Sequence, residues 1–314
     1  MIGWPIIDRY GLDMSDTARA SNVPDISICV AVYRRHGEPN LGSLSASLPG
    51  ALGHLKAELI VALNGITAPD AGVPAGCTCV AFDVNRGVPV AWNAAARRAR
   101  APVLCVVNDD VVLGRDSLVL LHRALMREPA AGVVGPVGTR WDIGRAQHLS
   151  YLSLEQLSPG EMRECEVVSG FLMATPKHVF DKVGGFEEAY TPCGFEEVDY
   201  CTAVRLQAGL SCFAVAGVES THAFSISAAR SWRRVHYDGR SESIKSISRR
   251  NRRHFLAKWS AMDPGSSPPS GEPRPVVTST QAPHEQQPSE QQSARRDQQD
   301  QAKELPGGKR IAHQ

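Results

Sequence analysis

An apolar run that stops abruptly on polar residues constrains the fold of this chain more than any other feature. Residues 103–107 are aliphatic apart from one cysteine, and they are followed directly by Asn108, Asp109 and Asp110. A short, continuously apolar run is typical of a parallel strand that is buried on both faces. Open α/β sheets bind ligands at the carboxyl ends of such strands, so the two carboxylates are placed to hold a divalent cation. The alternative is an Asp-rich turn with no ligand.

Similar runs alternate with helical patterns along the chain. Strands are predicted at residues 26–32, 58–63, 77–83, 103–108, 132–137, 166–174 and 211–216. Helices are predicted at residues 88–100 and 115–127, from Pro176 to about Val183, from near Glu196, and from about Ser243 to Trp259. This alternation predicts an α/β fold with a mainly parallel sheet flanked by helices.

Composition divides the chain into three parts. Residues 1–24 read as a lead-in, residues 25–262 as one domain, and residues 263–314 as a tail that lacks aromatic residues and is rich in Pro, Ser and Gln. Such a tail cannot bury enough apolar surface to fold, and we expect it to be disordered. The formal net charge of +1 argues against nucleic acid as a partner. The eight cysteines fall largely in apolar runs and no secretory signal is recognisable, so we expect a cytoplasmic location.

Several local motifs occur in a fixed order along the domain. They are Val32-Tyr33-Arg34, Asn64-Gly65, Asn85-Arg86-Gly87, Trp92-Asn93, Asn108-Asp109-Asp110, the Gly-Gly-Phe turn at 184–186, Gly194-Phe195-Glu196-Glu197-Val198-Asp199 and Thr221-His222. Together, over about residues 26–259, they resemble the inverting family 2 glycosyltransferases of the GT-A fold, especially the bacterial rhamnosyltransferase-like branch. The resemblance implies a nucleotide-diphospho-sugar transferase type of fold.

The resemblance also implies a role for each motif. The donor, a UDP, dTDP or GDP sugar, would be bound by Val32, Tyr33, Arg34, Asn64, Asn85, Gly87, Asn93, Asn108 and Asp109. A Mn²⁺ or Mg²⁺ ion would be held by Asp110 and His222, with help from Asp109. Glu197 would be the catalytic base, with Glu196 and Asp199 as alternates. The acceptor would be a glycan, a lipid-linked glycan or a small molecule.

The acidic cluster at Glu196, Glu197 and Asp199 can also be interpreted from its chemistry, independently of the resemblance. Neighbouring carboxylates raise one another's pKa, which suits a base that works near neutral pH. The alternative is that acidic residues simply favour the N-terminus of a helix.

Two features of the sequence leave alternative functions open: the leucine at position 63 and a basic run near the end of the domain. Leu63 stands where the resembled family usually has an Asp that recognises the base or ribose, so a protein that binds nucleotide or glycan without turnover is a rival. A sugar-1-phosphate nucleotidyltransferase is a second rival, although Tyr33-Arg34-Arg35-His36-Gly37 is a poor match to its Gly-rich loop. The basic run at residues 249–254 offers a phosphate-facing arginine, a solvated helix face, or contact with an anionic membrane surface at the inner face of the membrane.

Overall fold

The computed structural model describes residues 23–33, 41–222 and 234–259. Within these ranges the strands are β1 (Ile26–Val32), β2 (Ala57–Asn64), β3 (Thr78–Phe82), β4 (Val103–Asn108), β5 (Val111–Leu113), β6 (Ala131–Gly135), β7 (Gly138–Asp142), β8 (Gln147–Tyr151), β9 (Met162–Cys165), β10 (Val167–Val168), β11 (Leu172–Pro176), β12 (Ser211–Val215), β13 (Ser220–His222), β14 (Arg234–Tyr237) and β15 (Arg240–Ser243). The helices are α1 (Leu41–Leu52), α2 (Ala68–Ala71), α3 (Val88–Ala96), α4 (Ser117–Arg127), α5 (Lys177–Val183), α6 (Glu196–Leu206) and α7 (Ile244–Trp259), with a 3₁₀ turn at Glu188–Tyr190.

The main sheet has eight strands in the order β3-β2-β1-β4-β11-β6-β12-β9. Strands β3, β2, β1 and β4 are mutually parallel, and β12 is parallel to β6. Strand β11 is antiparallel to both of its neighbours, and β9 is antiparallel to β12. The predicted α/β class with a mainly parallel sheet is confirmed, and the antiparallel β11 and β9 make the sheet mixed.

Two apolar clusters pack against the two faces of this sheet. One cluster contains residues of α1 and α4 together with Ile26, Ile28 and Val30 of β1. The other contains residues of α3, α5, α6 and α7 together with Cys29. Successive residues of a strand face opposite sides, so a strand such as β1, which is apolar apart from Ser27, supplies both clusters.

The predicted single strand at residues 166–174 is wrong. Strand β10 pairs with β7 in a small sheet of order β10-β7-β8, whereas β11 lies in the main sheet between β4 and β6. The chain changes sheets between the two strands at Ser169, Gly170 and Phe171. Both short strands are buried, so they read as one strand, and the Ser169-Gly170 pair between them was the available signal for the break.

Other boundaries also differ from the sequence prediction. Helix α3 ends at Ala96 rather than at residue 100, and α4 begins at Ser117 rather than at residue 115. The predicted lead-in and tail lie outside the described residues, apart from Val23 and Pro24. Over the described ranges, no helix combines the length and apolar character that a membrane crossing requires.

Candidate active site

A cavity of about 570 Å³ opens at the carboxyl ends of β1, β2 and β4. This volume is in the range of small-molecule sites. The residues that line it are Ala31, Tyr33, Asn64, Asn85, Val88, Trp92, Asn108, Asp109, Tyr151, Ser169, Gly170, Phe171, Pro192, Cys193, Gly194, Glu196, Glu197, His222, Val235, Ile244, Ile247 and Ser248. Among these described residues there is no lysine or arginine, so an anionic ligand would need its charge offset by another group.

The end of β4 meets the end of β13 at one wall of the cavity. Strand β13 pairs antiparallel with β5, which places His222 opposite Val111. The His222 Nε2 atom lies 3.1 Å from Asp110 Oδ1 and 3.1 Å from Asn108 Nδ2. The imidazole ring also stacks on Phe171, with 4.8 Å between ring centroids. The fold thus brings together Asp110 and His222, which the sequence predicted to share a metal.

The donor atoms at this wall fit a divalent cation. Carboxylate oxygen and imidazole nitrogen are accepted ligands of divalent first-row metals. Asp109 and His222 line the cavity, and Asp110 contacts His222 without lining the cavity itself. No cluster of three or more His, Cys, Asp or Glu side chains suited to a metal occurs in the part of the chain that the structure describes. Two protein ligands with phosphate oxygens and water completing the shell is the usual arrangement for cations that bind phosphorylated substrates.

Glu197 lies on another wall of the same cavity, at the first turn of α6. The two residues that precede α6, Gly194 and Phe195, have φ angles of 91° and 79°. A left-handed conformation is unfavourable for phenylalanine and is held only when the surroundings enforce it. The Phe195 ring is fixed between Trp141 and Phe255, at centroid distances of 5.9 Å and 5.5 Å. This strained turn orients α6 so that its first turn borders the cavity.

Burial raises the pKa of the Glu197 carboxyl above its ordinary value. Burial also raises the pKa of Glu196 well above its ordinary value, and the adjacent charge of Glu197 raises it further. Glu196 Oε2 is buried, and within the described ranges it has no hydrogen-bond partner. Both carboxyls therefore keep a proton to a higher pH than an exposed glutamate would.

Asp199, the other predicted alternate base, is turned away from the cavity. Its carboxylate is buried and accepts hydrogen bonds from Tyr190 Oη at 3.0 Å, Trp259 Nε1 at 2.7 Å and Lys258 Nζ at 2.8 Å. These contacts tie α6 to the end of α7. The contacts give Asp199 a structural role, while its part in catalysis stays a prediction.

Two predicted donor-binding asparagines shape the rim of the cavity. Asn64 donates from Nδ2 to Asn85 Oδ1 at 2.8 Å and accepts from the Arg86 backbone N–H at 2.7 Å. Asn85 in turn donates to the carbonyl oxygen of His236 at 2.8 Å. This network connects the ends of β2 and β3 to the hairpin formed by β14 and β15. It leaves both asparagines on the cavity wall.

Three further predicted donor-binding residues lie outside the lining. Val32 is buried in the core, next to Ala31 and Tyr33, which do line the cavity. The backbone of Gly87 is pressed against Pro192, because a Cβ atom there would lie 2.8 Å from Pro192 Cα. Asn93 exchanges two hydrogen bonds with the backbone of Phe186, at 2.7 Å and 2.9 Å. These three assignments stay predictions, and Arg34 lies outside the described residues.

Helix α7, which carries the basic run, holds the segment that precedes α6 in place. Asn251 is fully buried and donates from Nδ2 to the carbonyl oxygens of Tyr190, Cys193 and Gly194 at 3.0, 3.1 and 2.8 Å. Arg250 donates to the Thr191 carbonyl oxygen and to Glu242. The arginines at 249, 252 and 253 are exposed. The predicted solvated face therefore describes one side of the helix. The other side holds the segment before α6 through buried hydrogen bonds, a role that the sequence did not suggest.

Sequence reasoning missed a group of cavity residues from distant segments. Tyr151, Val235, Ile244, Ile247 and Ser248 carry no local motif. They reach the cavity through the small sheet, the β14–β15 hairpin and the start of α7. The Asp238-Gly239 pair between β14 and β15 was the available signal for that hairpin.

Comparison with solved structures identifies the fold of this chain. The arrangement resembles GT-A-type glycosyltransferases with a TM-score of 0.51 in two cases. The first is GalNAc-T7 with UDP, GalNAc and Mn²⁺, which is 13% identical and matches 64% of this chain and 44% of its own. The second is the mannosyltransferase PcManGT of Pyrobaculum calidifontis in complex with GDP-Man and Mn²⁺, which is 18% identical and matches 79% of this chain and 67% of its own. The predicted GT-A fold is confirmed.

Sequence comparison is less informative. No protein-family profile matches the chain. The uncharacterized protein y4gI of Sinorhizobium fredii is 27% identical over 131 residues, which is 36% of this chain. The matched region spans 14% of that longer relative.

Proposed function

We propose that this protein is a glycosyltransferase that moves a sugar from a nucleotide-diphospho-sugar to an acceptor hydroxyl with inversion. One observation carries the proposal: His222, which lies 3.1 Å from Asp110, and Glu197 line two walls of the same cavity at the carboxyl edge of a GT-A sheet. The structures that share this fold were solved with UDP or GDP-Man and with Mn²⁺. The assignment to family 2 and to a rhamnosyltransferase-like branch belongs to this proposal.

The donor would bind between the strand ends and the Asn64–Asn85 rim. Tyr33, Asn108 and Asp109 all line the cavity. In this proposal Tyr33 would lie beside the base, and Asn108 and Asp109 would border the diphosphate. Asp110 and His222 would hold Mn²⁺ or Mg²⁺. When bound, that cation offsets the negative charge on the leaving nucleoside diphosphate. This fits a cavity whose described walls supply no cationic side chain.

Glu197 would act as the base. Its carboxylate would accept the proton of the acceptor hydroxyl while that oxygen attacks the anomeric carbon, and the bond from that carbon to the diphosphate oxygen would break on the opposite side. A single displacement of this kind inverts the anomeric centre.

The position of Leu63 bears on the alternative that the protein binds nucleotide or glycan without turnover. Its side chain is buried in the apolar cluster beneath the sheet, whereas the next residue, Asn64, lines the cavity. Loss of a carboxylate at position 63 therefore leaves the wall of the cavity intact. The rival would bind nucleotide without consuming a nucleotide sugar.

A thermal-shift screen against UDP, dTDP, GDP and CDP, each with and without Mn²⁺, tests the proposal, because a ligand of the folded state raises its apparent stability. We expect one nucleotide to raise the melting temperature only with the cation. Incubation with the matching nucleotide sugars should then release nucleoside diphosphate. Release of pyrophosphate from a sugar phosphate and nucleoside triphosphate would instead identify a nucleotidyltransferase, and nucleotide binding without release would identify the inactive rival. Absence of any nucleotide effect would refute the proposal.

A further inference from the structure

Three aromatic side chains form a continuous surface on the hairpin of β7 and β8. His148 and Tyr151 lie 4.7 Å apart between ring centroids, and Trp141 meets His148 edge-on at 5.9 Å. We call these three residues the aromatic shelf. Tyr151 is 69% exposed, which is unusual for so large a ring within a group of rings.

A β-bulge creates the shelf. Arg140 pairs with Ser150 and Trp141 pairs with His148, so Leu149 is an extra residue in β8. Without the bulge, residues three apart in a strand would face opposite sides of the sheet. The bulge places His148 and Tyr151 on the face that carries Trp141. Bulges of this kind often redirect a side chain beside an active site.

The shelf is continuous with the candidate active site. Tyr151 lines the same cavity as Glu197. At the other end of the shelf, Trp141 packs edge-on against Phe195, whose strained backbone starts the helix that carries Glu197. A ligand on the Tyr151 ring would therefore lie in the space from which Glu197 can be reached.

We propose that the aromatic shelf is the acceptor subsite and that the acceptor is a neutral saccharide, bound with the C–H face of one pyranose ring on Tyr151. This inference rests on the proposed function and names its acceptor class. A pyranose has an apolar C–H face and a polar rim, and an exposed tyrosine offers a flat apolar face with a polar edge. The described lining has no lysine or arginine that would favour an anionic acceptor.

Saturation-transfer NMR with chitotriose, maltotriose and mannotriose tests the subsite directly. The wild-type chain is compared with Tyr151→Ala, Tyr151→Phe and Leu149→Ala. Leu149 is the matched control because it is 56% exposed in the same strand and does not line the cavity. We expect at least one trisaccharide to bind with saturation concentrated on one face of a ring. Loss of the ring in Tyr151→Ala should weaken that binding about tenfold, which is the scale of a lost stacking contact.

The control variants decide the interpretation. Tyr151→Phe keeps the ring and Leu149→Ala leaves the shelf intact, so both should bind within about twofold of wild type. Binding of none of the trisaccharides by the wild type, or equal binding by Tyr151→Ala, would overturn the proposal. The nucleotide thermal shift is measured on the same variants to show that the cavity remains folded.

The two proposals can fail separately. A nucleotide shift that persists while saccharide binding ignores Tyr151 would remove the acceptor subsite and leave the glycosyltransferase proposal standing. Tyr151-dependent saccharide binding by a protein that recognises no nucleotide would identify a glycan-binding surface and refute the transferase.

Discussion

The side chain of Glu197 lies directly over the backbone of Gly170. A Cβ atom at position 170 would be 3.1 Å from Glu197 Cβ and 3.4 Å from Glu197 Cγ. Gly170 stands at the break between β10 and β11, where the chain changes from the small sheet to the main sheet. The break therefore leaves room for the carboxylate that we propose as the base.

This contact predicts the effect of Gly170→Ala. The added methyl group should push the Glu197 side chain by a few tenths of an ångström, and a displaced base should lower kcat by about tenfold because proton transfer depends strongly on geometry. Binding of nucleotide with Mn²⁺ should be unchanged. The matched control is Gly42→Ala in α1, where a Cβ atom would meet nothing within 4 Å. An equal loss of activity in both variants would contradict the positional explanation.

Glu197→Gln should abolish transfer while nucleotide binding remains. The amide keeps the size of the side chain but cannot accept the proton, so kcat should fall by at least about 100-fold. Steady-state kinetics and the nucleotide thermal shift measure the two effects. Glu155→Gln, at an exposed position, is the control. A Glu197→Gln variant with a wild-type rate would exclude Glu197 as the base.

The raised pKa of Glu196 predicts how stability depends on pH. A carboxyl whose pKa is higher in the folded than in the unfolded state favours folding at low pH, and this contribution is lost as pH rises through the folded-state pKa. Glu196→Gln removes the ionisation. Its melting temperature should therefore exceed that of wild type by a margin that grows from about pH 5 upward. Parallel melting curves over pH 4.5 to 8 would contradict the assignment.

Asn251→Ala should destabilise the protein by about 3 kcal/mol, because three carbonyl oxygens in the segment that precedes α6 lose their buried donor. Urea unfolding measures the change. Arg253→Ala, two residues further along on the exposed face of α7, should change the free energy of unfolding by less than about 0.5 kcal/mol. Similar losses of stability in the two variants would argue against this role of Asn251.

The Asp110–His222 pair predicts the cation dependence of nucleotide binding. Asp110→Asn keeps the shape of the side chain and removes the charge, so the melting-temperature increase from nucleotide with Mn²⁺ should fall to the level seen without the ion. Direct titration of Mn²⁺, followed by its electron paramagnetic resonance signal, gives a second readout. Asp142→Asn, in β7 and outside the cavity lining, is the control. An unchanged Mn²⁺ affinity in Asp110→Asn would remove Asp110 from the proposed metal site.

The local sequence determined the principal strands and helices. Strands β1 and β4 match their predicted bounds because a largely apolar run is sufficient to identify a strand buried on both faces. The sequence also revealed the acidic residues at the start of α6 and the polar residues at the end of β4. These residue types favour the ends of helices and strands for local reasons, such as the helix dipole and turn formation. The order of the motifs predicted the GT-A fold that the structural comparisons confirm.

The tertiary structure decided which of these side chains share a cavity. Asp199 and Glu197 are two residues apart, yet one is held by Tyr190, Trp259 and Lys258 while the other lines the cavity. His222 reaches Asp110 only through pairing of β13 with β5, and Tyr151 reaches the cavity wall on the β7–β8 hairpin. Local periodicity reports burial along one element. The register between distant strands depends on packing across the whole domain, so only the folded structure reveals it.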